Sequence, residues 1–90
     1  MNSRDREIVD ILQEECAEVI QVVSKCRRFG IDMSYHKDGE TNRERLTKEV
    51  GDLQRMIDLL IQFKIVDADA VKQASEQKAI KLRTWSSIYS

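Results

Sequence analysis

No proline interrupts the 90 residues of this chain, and only three glycines do. These two residues are the strongest helix breakers. Their scarcity, with charged residues making up 34% of the chain, favours helix over sheet. Cysteine is almost absent too. Cys16 and Cys26, placed on one helix, stand about 15 Å apart, beyond disulfide reach. They are expected to be reduced and packed, as in a cytoplasmic protein, although pairing between chains stays open. The apolar runs are short and broken by charge, so nothing reads as a signal peptide or a membrane span. Excess charge is missing as well: 15 Lys and Arg face 16 Asp and Glu. A net charge near zero gives no support for a nucleic-acid polymer or a membrane as partner. Any electrostatic specialisation must be local. The length is that of one small domain, residues 1–90.

What is present is helical periodicity. The first helix is expected from about Arg4 to Phe29, with Ser3 as cap, Asp5 and Glu7 at its positive end and Gly30 as its stop. Residues 31–40 read as a loop with a turn at Asp38-Gly39. Thr41-Asn42-Arg43-Glu44 has capping-box spacing, so a second helix should begin near Asn42 and run to about Lys64. Asp67 can cap a third, from Ala68 to about Trp85. The expected class is all-α: three main helices forming a bundle completed by oligomerisation.

The apolar seam of the first helix runs Ile8, Leu12, Glu15, Val19, Val22, Cys26, Phe29. A carboxylate sits where leucine belongs, and Glu18 lies one turn on. The second seam repeats the oddity: Leu46, Glu49, Leu53, Met56, Leu60, Phe63, with Asp52 beside Glu49. Gly51 lies between those acids, at a cost of up to about 1 kcal/mol relative to alanine. A helix or ligand passing close would account for it. The third seam reads Val71, Ala74, Lys78, Leu82, Trp85, with a cation in the apolar line and Lys81 and Arg83 nearby. A buried charge must be paired. One solution is a salt-bridge cluster of Glu15 and Glu49 against Lys78, which leaves acids in surplus. The other is a hard cation held by carboxylate oxygens, Mg²⁺ with Mn²⁺ as the alternative, with Lys78 facing phosphate charge.

Glu14-Glu15-Cys16-Ala17-Glu18-Val19-Ile20-Gln21 and Glu49-Val50-Gly51-Asp52-Leu53 together resemble the two motif blocks of the all-α nucleoside triphosphate pyrophosphohydrolases, the MazG-like superfamily. Ser24-Lys25-x-x-Arg28-Phe29-Gly30 and Thr41-Asn42-Arg43-Glu44-x-Leu46 look closest to its short phage and bacterial members. The resemblance spans about residues 8–85. It implies cleavage of a nucleoside triphosphate to the monophosphate and pyrophosphate, with Glu15, Glu18, Glu49 and Asp52 as metal ligands. Glu14 would be a further acidic residue near the metal or its water, or else solvent-facing. Lys78 would hold phosphates, with Lys81 and Arg83 assisting. Lys25 and Arg28 suit either phosphate or the negative end of their helix. Phosphoribosyl-ATP pyrophosphohydrolase of histidine biosynthesis is the near alternative, and a non-catalytic helical regulatory or assembly dimer the distant one.

Few residues precede the first acidic block, and three helices of this length give a thin core. A homodimer or homotetramer is therefore expected, with the missing layer supplied by a partner chain. His36 reads as a solvated loop residue. Tyr35, Tyr89 and Trp85 are candidates for stacking on a base, although Trp85 ends an apolar seam and is expected in the core. Asn42 reads as a helix-start residue or a contact to base or sugar.

Overall fold

The computed structural model describes residues 1–34 and 39–90; Tyr35, His36 and Asp38, with the expected turn at Asp38-Gly39, lie partly or wholly outside the described residues. The chain is all-helical: α1 (Ser3–Phe29), α2 (Asn42–Gln62) and α3 (Ala68–Trp85). Among the described residues no helix is long and apolar enough to cross a membrane.

The termini follow local chemistry. Asn2, not Ser3, caps α1: its side chain accepts from the Asp5 amide at 2.7 Å. Gly30 ends α1 with φ of 103°, a backbone region open to glycine, and donates its N–H to the Cys26 carbonyl. Thr41 and Glu44 form the reciprocal capping box at the start of α2. That helix stops at Gln62, two residues before the expected end, because Lys64 takes a positive φ of 57° and turns the chain. Asp67 caps α3 through the Ala70 amide.

α1 and α2 lie antiparallel as a hairpin. At one end the Arg4 guanidinium covers the Phe63 ring at 4.1 Å. At the other, Asn42 is the one buried polar residue among the described residues, 4% exposed. Its Nδ2 donates to the Gly30 carbonyl at 2.9 Å and the Lys25 carbonyl at 3.4 Å, while its backbone N–H donates to Met33. This clamp joins the start of α2 to the end of α1, and the Asp32–Arg43 ion pair at 2.9 Å supports it from outside. Asn42 is thus occupied by the fold and has no donor left over for a base or sugar.

The core is the line where the two seams meet: Ile8 and Val22 of α1 and Met56 of α2 are buried, with Leu12, Val19, Leu53 and Leu60 half-buried. Phe29 departs from its seam. It is exposed, with the Arg28 guanidinium 4.9 Å from its ring. α3 departs further. It packs closely on neither helix and buries no residue, and Trp85 is 63% exposed rather than in a core. The turn after α2 carries α3 away from the hairpin, so among the described residues its apolar seam is not buried against either helix. The result is one helix layer thick, 44 × 38 × 14 Å.

Candidate metal centre

Three carboxylates converge midway along the hairpin. Ligand oxygens of Glu15, Glu18 and Glu49 all lie within 4.8 Å of one another. The reason is helical phase. Glu15 and Glu49 replace apolar residues at the line of contact, so their side chains point across the α1–α2 interface. Glu18 comes in from the next turn of α1.

Glu15 and Glu49 are half-buried, and Oε2 of each is sealed from solvent without a hydrogen-bond partner. Burial first, then the negative charges of Glu18, Asp52 and Glu14, push the Glu15 carboxyl above the usual glutamate range. Glu49 is pushed the same way. A side-chain hydrogen bond with Glu18 comes first, then burial, then the charges of Glu18, Asp52 and Glu15. Among the described residues neither carboxylate is in an ion pair with a cation. A buried salt bridge of Glu15 and Glu49 with Lys78 is therefore not formed within one protomer. The Lys78 ammonium instead sits 4.8 Å from the Trp85 ring on exposed α3.

The donor set and the two orphaned oxygens fit a hard divalent cation. All donors are carboxylate oxygens, no thiol or imidazole is among them, and Glu18 is exposed, so the cluster is open to a cation from solvent. Asp52 stands outside the tight group of three, yet its charge reaches both Glu15 and Glu49. Glu14 is exposed beside Glu15 and also contributes to its electrostatics.

The expected phosphate-binding residues are scattered. Lys25 is half-buried near the clamped end of the hairpin, lining a cavity of about 220 Å³ with Phe29, Met33, Ser34 and Asn42. Arg28, Lys81 and Arg83 are exposed, and Arg83 lies 5.7 Å from the Tyr89 ring. Outside its own helix backbone, Gly51 has no described atom within 4 Å of where a Cβ would stand, so none of the described residues makes the close approach that its presence suggested.

One feature was not foreseen from sequence. A groove of about 400 Å³ opens at the Arg4–Phe63 end, lined mainly by Arg4, Ile8, Ile11, Met56, Leu59 and Phe63. Ile11 lies one turn before Glu15, and Met56 one turn after Asp52. At about 100° per residue, the lining of the groove falls on the same flank of the hairpin as Glu18 and Asp52. The signal was the adjacency of Phe63 to the N-terminal turn of α1, which exists only once the hairpin is antiparallel.

No protein-family model, curated protein or solved structure matches this chain.

Proposed function

We propose that the chain is a Mg²⁺-dependent nucleoside triphosphate pyrophosphohydrolase. The observation that carries this reading is the convergence of Glu15, Glu18 and Glu49 with two buried, unpartnered carboxylate oxygens and, among the described residues, no ion pair to a cation. A structural ion cluster would supply its own counter-charge, whereas a site awaiting a metal leaves the charge open.

In this reading Glu15, Glu18 and Glu49 hold the cation and Asp52 completes the acidic shell. The bound cation would supply Lewis-acid neutralisation of triphosphate oxygens and acidify a water. In this reading Glu14, exposed beside Glu15, accepts the proton that water loses. The water oxygen bonds to phosphorus as the α–β anhydride bond breaks, giving the nucleoside monophosphate and pyrophosphate. The groove at Phe63 suits the nucleoside. Its volume falls in the range of small-molecule sites, it is largely apolar, and it opens one turn from the carboxylates. Lys78, Lys81 and Arg83 act as phosphate contacts only when α3 is brought over an acidic cluster by assembly of chains. Lys25, on the hairpin itself, needs no such help.

The test is pyrophosphate release from a panel of ribo- and deoxynucleoside triphosphates with Mg²⁺. Wild-type turnover that collapses in Glu49→Gln supports the reading. Absence of turnover by the wild type on every nucleotide overturns it.

A further inference from the structure

α1 and α2 keep one register along the hairpin. The Arg4 guanidinium meets Phe63, the Glu18 and Glu49 carboxyls share a hydrogen bond, and the Asn42 side chain reaches the Lys25 carbonyl. From each pair to the next, a step up α1 is matched by an equal step down α2. The level of any side chain on the hairpin follows from that register, and the side it faces follows from helical phase.

Three cations fall on the flank that carries Glu18 and Asp52. At about 100° per residue, Arg45 and Lys48 lie within about 40° of Asp52, and Lys25 within about 20° of Glu18. Lys48 stands one residue past the Glu18–Glu49 level, Arg45 four and Lys25 seven, which is about 1.5, 6 and 10 Å along the hairpin. They therefore form a track from the acidic cluster to the Asn42 clamp. Lys25 and Arg45 are half-buried and Lys48 is exposed. Among the described residues none of the three is in an ion pair. Glu44, at the edge of the same half, is turned to Thr41 by the capping box. The other half of the flank, toward Phe63, is mixed in charge. It carries Glu7 and Glu14 beside Arg55, and its Arg4 is taken up by Asp5 and the Phe63 ring. A half-buried guanidinium without a carboxylate partner suits an anion from outside the chain.

We propose that Lys48, Arg45 and Lys25 form a binding site for the β- and γ-phosphates, and hence for the departing pyrophosphate. The triphosphate then runs from the carboxylates toward the Asn42 clamp, with its nucleoside in the Phe63 groove. The assignment rests on the pyrophosphohydrolase reading and gives its substrate a direction. As the α–β anhydride bond breaks, its electron pair stays on the bridging oxygen, which leaves with the β-phosphate. Lys48, the cation at the cluster's edge, is the first of the three to meet that new charge. The hairpin thus holds the leaving group without help from α3.

Inorganic pyrophosphate is the probe, titrated by calorimetry at one fixed Mg²⁺ concentration. The wild type should bind it, and Arg45→Gln/Lys48→Gln should bind it about tenfold or more weakly. Lys48→Gln alone, at an exposed position, should weaken it several-fold. Arg45→Lys/Lys48→Arg, which keeps both charges, should retain it. So should Arg6→Gln/Arg27→Gln, which removes two exposed cations from other faces of α1. In turnover, the double glutamine variant should resist inhibition by pyrophosphate and stay as sensitive as the wild type to nucleoside monophosphate. A wild type that does not bind pyrophosphate overturns the site. Equal weakening in Arg6→Gln/Arg27→Gln, or a loss of monophosphate inhibition in its place, overturns it too. Pyrophosphate binding that needs Lys48, with no turnover of any nucleotide, would leave the site standing and remove the hydrolase reading. Turnover with pyrophosphate binding indifferent to Lys48 and Arg45 would do the reverse.

Discussion

Replacing Asn42 by leucine tests how the site is held together. The side chain is nearly isosteric but loses both N–H donors. The 2.9 Å bond to Gly30 disappears, leaving that carbonyl with only a long contact from the Met33 amide. The Lys25 carbonyl loses a weaker partner at 3.4 Å. A typical hydrogen bond is worth about 1 kcal/mol net, and a buried carbonyl left short of a donor costs about 1–3 kcal/mol. The sum, discounted for the residual Met33 contact, is about 2–3 kcal/mol. In a chain of this size that is a fall of about 10–20 °C in melting temperature. Circular dichroism at 222 nm, at fixed protein concentration, reads it directly. Asn42→Asp should be worse, since a carboxylate has no donor and would face two carbonyl oxygens. A shift below about 2 °C for Asn42→Leu, with a raised KM for nucleotide, would refute the clamp and return Asn42 to a ligand-binding role.

Other outcomes follow from the same geometry. Mg²⁺ or Mn²⁺ at a hundredfold excess over its dissociation constant should raise the melting temperature by about 10–20 °C in the wild type and not in Glu49→Gln; indifference of the wild type would contradict the metal centre. Without metal, stability should decline as pH rises. The Glu15 and Glu49 carboxyls sit above their unfolded values, so their favourable contribution is complete below the ordinary glutamate range and is lost as pH climbs through the raised folded values. Asp32, held low by Arg43, acts in the opposite sense at lower pH, so the difference between wild type and Glu49→Gln isolates the cluster. Gly51→Ala should stabilise by up to about 1 kcal/mol, because its Cβ would stand in open space; a fall in melting temperature would show that a second chain approaches there.

Much of the fold was legible because its signals are local. The capping box at Thr41, the stop at Gly30 and the Asp67 cap depend on a few adjacent residues, and the structure has them where the sequence puts them. The cap of α1 was misplaced by one residue, since Ser3 and Asn2 are both capable caps and only the backbone turn chooses between them. The seams of α1 and α2 were legible from their three-and-four spacing. That spacing also exposed Glu15 and Glu49 as charges in apolar positions, which is how the acidic cluster came into view.

Where α3 packs was not legible. Its seam shows that it needs a partner, but periodicity does not say which one. The direction of α3 is set by the turn at Lys64, whose positive φ no local rule demands of a lysine. Lys78 was therefore expected opposite the acids and is found beside Trp85. The Phe63 groove was hidden for a related reason: it is made by residues far apart in sequence that meet only when the hairpin closes.

Titration of the metal-free protein with Mn²⁺, followed by loss of the free-ion electron paramagnetic resonance signal, tests the central claim that these carboxylates form a divalent-cation site. Saturable binding by the wild type, abolished by Glu49→Gln in a variant that remains folded, is the predicted result. No saturable binding by the wild type, or equal binding by both proteins, would contradict it.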